Sequence, residues 1–290
     1  MNIILSIHGG IGKSVMATAV CRAIKNKYPN CKLIVVTGYP DVFSNNPIVD
    51  MTFGHGNEFY FYSKYIQGQD VKIFANEPYV VTEHILQKEM VIETWCKMND
   101  IPYNGEMPEV YINEREFNFF GNKYPNQKPI LLLQTNGGGQ TDIKYSWARD
   151  MPRKIALSVI EEFKSKYDIF HIRRDDQLSY EHVKPIHESF KGIASLIAKS
   201  EKRLLIDSFC QHTAAALRKK SSVLWIANKP NVFGYSIHDN ILPNPENGTP
   251  DLKFSFFGKY NITGAPNEFP YQSENDIFNV DRVISSILNQ

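Results

Sequence analysis

The chain has 290 residues, long for a single core and suited to two domains of ordinary size. Hydrophobic residues make up 42% and charged residues 22%, the balance of a soluble globular protein. A formal net charge of +1 gives no general attraction to nucleic acid or to an anionic membrane, so nucleic acid stays open but unsupported as a partner.

The opening residues 2–7 read as a buried strand, too short and without the basic leader of an export signal, and His8 with two glycines ends it. No stretch is long and apolar enough to predict a transmembrane span, so a cytoplasmic site of action is expected, with the inner membrane face as a peripheral option. His8-Gly9-Gly10-Ile11-Gly12 is a tight glycine turn. Val15, Met16, Ala19, Val20, Ala23 and Ile24 then recur at helical spacing up to about Lys27, before Pro29. A strand at 33–37 completes a β-α-β opening, which implies a parallel sheet with right-handed crossovers. Cys21, Cys31, Cys96 and Cys210 form no CxxC pair and no metal-like spacing with histidine, as expected of reduced thiols.

Residues 40–110 give short strands at 50–53 and 71–74 and a helix at 83–98. The aromatics Phe59, Tyr60, Phe61, Tyr62 and Tyr65 suit core packing better than a stacking platform. Residues 111–129, rich in Asn, Lys and Pro, read as a linker. A second series follows: a strand at 130–134, a glycine loop at 136–139, a helix at 152–167, a strand at 169–172, a helix at 193–199 and a strand at 203–206. That last strand ends in Asp207-Ser208, where a small-residue helix containing Ala214, Ala215 and Ala216 opens before a strand at 222–226. Free N–H groups and the helix dipole at such a start attract anions, a diphosphate among them; a plain packing helix capped by Asp207 or Ser208 is the other reading. The final helix, 276–288, is expected to close the structure by packing back on the N-terminal domain.

Two resemblances bear on the first turn. His8 to Ser14, HGGIGKS, resembles the nucleotide loop of the nitrogenase-iron-protein and partition-ATPase group, in which Lys13 and Ser14 would serve phosphate and magnesium. Here His8 replaces that group's leading lysine, and no later strand ends in a magnesium-binding aspartate.

The same turn, followed by Lys25 to Pro29 and by Asn46-Pro47-Ile48-Val49-Asp50, resembles the start of glycosyltransferase family 9, the heptosyltransferase-like enzymes. In the second half, Leu132 to Trp147 resembles that family's strand, glycine loop and K-x-W element, with Lys144 and Trp147 one residue further apart than usual. Asp207-Ser208, His212 and Ala214-Ala215-Ala216 resemble its D-[ST]-G-x-x-H-[LI]-A-A-A pattern.

The resemblance implies an α/β fold of two Rossmann-like domains facing across a cleft, the GT-B architecture. Residues 1–125 would be the acceptor domain and 126–290 the nucleotide-sugar domain. It further implies sugar transfer with inversion, a nucleotide-sugar donor as co-substrate with no cofactor or metal required, and a glycan, lipid-linked sugar or other hydroxyl as acceptor. Donor contacts would come from Gly137, Gly138, Gly139, Lys144, Asp207, Ser208 and His212, with Lys229 a further candidate beyond the strand at 222–226. Gly9, Gly10 and Gly12 would form the acceptor-side loop. The family's turn carries an aspartate where this chain has Lys13, and a protonated lysine accepts no proton. His8, with Asp41 behind it, is therefore the expected substitute base, and Lys13 the expected ligand of an anionic acceptor or phosphate. Alternatives are a viral-type nucleic-acid base glycosyltransferase, the P-loop ATPase, and a sugar-nucleotide-binding protein without turnover.

Overall fold

The computed structural model describes residues 1–56, 59–137, 146–245, 271 and 273–290. The chain divides into two compact units, Met1–Glu114 and Arg115–Gln290. Among the described residues no helix is long and apolar enough to cross a membrane.

The first unit is built on β1 (Asn2–Ile7), α1 (Ile11–Lys27), β2 (Lys32–Thr37), β3 (Met51–Phe53), α2 (Phe61–Tyr65), β4 (Val71–Phe74), α3 (Thr82–Ile85) and α4 (Val91–Lys97). Its four strands are parallel, in the order β3-β2-β1-β4. Strand side chains alternate between faces, so Ile4 and Ile34 meet Phe61 and Tyr65 on one side. The alternate residues Ile3, Leu5, Leu33 and Val35 are fully buried, and α1, backed by α4, packs along β1 and β2. The aromatic run is split by this geometry: Phe61 and Tyr65 join the core, whereas Phe59, Tyr60 and Tyr62 are exposed. The helix expected at 83–98 is broken into α3 and α4 because Gln87 takes a left-handed backbone (φ 51°) that no α-helix continues through.

The second unit carries α5 (Glu114–Lys123), whose first residue closes the first unit, then β5 (Ile130–Gln134), α6 (Arg153–Phe163), β6 (Asp168–Ile172), β7 (Val183–Ile186), α7 (Phe190–Lys199), β8 (Lys202–Ile206), α8 (Phe209–Ala216), β9 (Ser222–Leu224), α9 (Pro230–Phe233), β10 (Asp239–Ile241) and α10 (Val280–Leu288). Its parallel sheet has the order β10-β9-β8-β5-β6-β7. Leu131, Leu133, Leu204 and Ile206 face α6 and α10, through Ile155, Val159, Val283 and Ile287. Truncating one such leucine to alanine costs about 3 kcal/mol. On the opposite face α7 packs on β5 and α8 on β8, so the sheet is wound on both sides.

One expectation changes here. The segment read as a linker contains α5, which Lys199 holds by donating from Nζ to the Gly121 carbonyl at 2.6 Å, while Tyr124 donates to Glu188 at 2.6 Å. The last helix packs on the sheet of its own unit: Val283 and Ile287 enter the second core, and Arg282 pairs with Asp239 at 2.6 Å. All four cysteines are buried thiols.

Candidate functional site

In a doubly wound parallel sheet a ligand crevice opens where the chain reverses its winding, because the two flanking loops diverge there. In the second unit β5, β6 and β7 wind one way and β8, β9 and β10 the other, so this switch point lies between β5 and β8. The loops leaving it are Thr135 to Gly137 and Asp207-Ser208, and Ser208 Oγ joins them by donating to Gln134 Oε1 at 2.9 Å. Ser208 is extended (φ −159°) and caps α8 by accepting from the Cys210 N–H. Asp207 accepts from Asn228 Nδ2, which ties the end of β8 to the end of β9, and Lys229 stands exposed beside it.

The glycine loop is framed by a residue that the sequence did not single out. Asp150, buried, accepts from Gly137 N at 2.8 Å, Ser146 N at 2.8 Å and Asn136 Nδ2 at 3.0 Å. Its neighbour Arg149 lies across Gly137 so closely that a Cβ there would sit 2.6 Å from Arg149 Cδ. Only a glycine leaves that space free. Gly138, Gly139 and Lys144 lie outside the described residues.

His212 is found inside the fold, behind the first turn of α8. Its Nδ1 is 2.8 Å from the Tyr235 hydroxyl, and Gln211 beside it donates to the Phe233 carbonyl at 2.9 Å. Burial, helped by the charges of His238 and Arg149, pushes its pKa down to about 3. A neutral imidazole in this place braces the helix start. His238, which donates from Nε2 to the Gln211 carbonyl at 3.0 Å, and His171, 2.7 Å from Thr135 Oγ1, are each held down to about 4 by burial.

In the first unit the winding reverses between β1 and β4. The β1 turn is glycine-built of necessity: Gly9 has φ 108° and Gly10 caps α1 without a side chain. Gly12 lies in the first turn of α1. Lys13, on the same turn, points inward. Its Nζ donates to Glu77 Oε2 at 2.6 Å and lies 5.0 Å from the Tyr79 ring and 5.2 Å from the Trp95 ring. Burial lowers its pKa, and the hydrogen bond and charge of Glu77 oppose that shift. Ser14, fully buried, is hydrogen-bonded to Thr37 Oγ1 at 3.0 Å. Both residues that a P-loop would turn to phosphate and magnesium are therefore engaged inside the fold.

His8 is exposed and stacks on His55, with centroids 4.5 Å apart and planes 9° off parallel. His55 donates from Nε2 to the Ile7 carbonyl at 2.9 Å. Asp41 lies in the 3-10 turn Pro40–Phe43 after β2, and among the described residues no hydrogen bond joins it to His8.

No protein-family model and no curated protein sequence matches the chain. Solved structures do. The glycosyl transferase family 9 structure from Veillonella parvula DSM 2008 is similar at a TM-score of 0.69 and 10% identity, over 100% of this chain and 97% of that one. The E. coli ADP-heptose lps heptosyltransferase II gives a TM-score of 0.69 at 14% identity, over 100% and 98% of the two chains. The chain has the fold of the family 9 glycosyltransferases. A third similar structure with this heptosyltransferase-like fold is the dodecameric iron-containing heptosyltransferase TibC in complex with ADP-D-β-D-heptose, with a TM-score of 0.64 and 12% identity over 99% and 76% of the chains. Within the family 9 fold the two switch points and the loops on them belong to this chain's own sequence, and Glu77 and Asp150 are its unforeseen members.

Proposed function

We propose that the protein is a glycosyltransferase that moves a sugar from a nucleotide-sugar to a hydroxyl acceptor. The observation that carries the reading is the β5–β8 switch point, where the capped start of α8 and the glycine loop are joined through Ser208 and Gln134. Sugar transfer leaves negative charge on a departing diphosphate, and preorganised donors in a site shielded from water lower that barrier. The positive dipole end of α8, Lys229 and Arg149 supply charge, Gly137 leaves room for close approach, and His212 and Asp150 hold the frame. Lys144 belongs to the same reading as a further cation. No cofactor enters it, the nucleotide-sugar being co-substrate.

The acceptor falls to the first unit's sheet edge, where His8, His55 and the Lys13–Glu77 pair stand on the turns after β1, β3 and β4. Single displacement, with inversion at the anomeric carbon, needs one base on that side. A cytoplasmic location follows from the reading, at the inner membrane face if the acceptor is lipid-linked. The ATPase alternative loses its support because Lys13 and Ser14 are engaged elsewhere.

A thermal-shift panel of ADP-heptose and common UDP-, GDP- and ADP-sugars tests the reading. A donor at about 100 times its Kd stabilises the folded state by about 2.7 kcal/mol. At least one is expected to raise Tm and to release nucleoside diphosphate on incubation. A panel in which none shifts Tm and none is cleaved would overturn it.

A further inference from the structure

Lys13 presents a chemical oddity: an ammonium with 3% of its side chain exposed, held between two aromatic rings and, among the described residues, paired with one carboxylate. That carboxylate belongs to Glu77, three residues beyond the end of β4, at the switch point of the first sheet. We infer that Glu77 is the proton acceptor of the transfer reaction, with Lys13 as its positioning residue. The inference rests on the transferase reading above and adds the base that reading needs.

Three features of the geometry support it. Glu77 lies at the reversal of the sheet, where a ligand enters such a fold. It is also held in place. Its Oε2 accepts from Lys13 Nζ at 2.6 Å and its Oε1 from Tyr79 N at 3.1 Å, while the adjacent Asn76 donates to Met98 O and Asn99 Oδ1, both at 3.0 Å. Swinging the carboxylate away would leave a desolvated ammonium unpaired, which is costly. Finally, the side chain is 40% exposed, and a carboxylate offers about four lone-pair sites, so two hydrogen bonds leave it able to accept a third.

The other candidates are placed less well. Asp41 follows β2, one strand further from the reversal. His8 stacks on a residue that follows β3, which draws its ring to the β2–β3 side of β1, opposite to β4. The aspartate that Lys13 replaces is thus made good from another strand, and the lysine becomes the carboxylate's anchor.

The step balances without a further reagent. The acceptor's O–H proton passes to a Glu77 oxygen as the acceptor oxygen bonds to the anomeric carbon. The bond from that carbon to the diphosphate breaks, and its electron pair leaves on the phosphate oxygen. Glu77 then releases its proton to solvent.

The test uses the full chain and the sugar nucleotides of the panel above, following nucleoside diphosphate release with water standing in for the acceptor hydroxyl. In Glu77→Gln, which keeps the side chain's size and one of its two accepting oxygens, kcat is expected to fall by about 10²- to 10⁴-fold. Donor KM stays within about threefold. Glu77→Asp recovers part of the rate. Lys13→Met lowers kcat by less than Glu77→Gln does, at unchanged donor KM, and His8→Ala costs less than about tenfold. Wild-type cleavage with Glu77→Gln at near-normal rate overturns the inference and leaves the transferase reading standing. If the wild type neither binds nor cleaves any donor, both fail together.

Discussion

In the first unit the strands flanking the switch point, β1 and β4, are tied by an ion pair, Lys13 to Glu77; in the second, β5 and β8 are tied by a neutral hydrogen bond, Ser208 to Gln134. The surroundings differ in the same sense. Tyr79 and Trp95 flank the Lys13 ammonium in the first, while in the second neutral histidines and a buried aspartate hold the loops by hydrogen bonds. A ligand that arrives with a diphosphate meets the positive dipole end of α8 and the cations Arg149 and Lys229 at the second. A ligand that must give up a proton meets a fixed carboxylate at the first. One fold thus provides two switch points whose chemistry is set by a few loop residues.

Acid should separate the two regions most strongly. Buried His171, His212 and His238 have folded pKa values of about 4, 3 and 4, below the roughly 6.5 of an exposed imidazole. Between these values the unfolded chain binds protons that the folded chain does not, so the stability is complete above about pH 6.5 and is lost as pH falls toward 4. Each histidine accounts for on the order of 3 kcal/mol across that window. Amide exchange at β8 should accelerate by several orders of magnitude between pH 7 and 4.5 after correction for intrinsic rates, and unchanged protection would contradict this account.

Next in size is Asp150→Ala, which removes the acceptor of three donors of the glycine loop, two of them backbone N–H groups. A loss of about 3 kcal/mol in urea unfolding is expected, with a fall in donor affinity of at least tenfold. Lys13→Met sharpens the contrast, since a thioether fits between Tyr79 and Trp95 and the half-exposed Glu77 stays solvated. Its stability should lie within about 1 kcal/mol of wild type. A loss as large as that of Asp150→Ala would mean that the ion pair is a structural necessity. The smallest effect belongs to Gly137→Ala. Its new Cβ pushes aside only the flexible Arg149 side chain, for less than about 1 kcal/mol, but donor affinity should drop several-fold as the guanidinium is displaced.

Much of this was legible in the sequence wherever local pattern decides. The β1-α1-β2 opening and the strand-helix start at Asp207-Ser208 follow from apolar spacing and a serine cap, and they appear almost residue for residue. The pairing of Lys13 with Glu77 spans 64 residues, and no local periodicity reports a contact of that range. Asp150 escaped notice for a related reason: it sits in a loop, and its role is to accept backbone N–H groups that become free only once the loop is folded. β7 was missed because Pro185 and an exposed Lys184 argue against a central strand, and β7 is indeed at the sheet's edge. α5 hid among Asn and Lys residues because its stability comes from docking beside α7, through Lys199 and Glu188, more than from its own composition.

The most direct test of the central claim maps nucleoside diphosphate binding by amide exchange on the full chain, with ADP, UDP and GDP each at saturating concentration. The account predicts new protection in residues 206–212 and 134–137, at the β5–β8 switch point, with residues 8–14 unchanged. Protection centred on 8–14 would place the phosphates on the first glycine turn and contradict the assignment of the donor to the second unit.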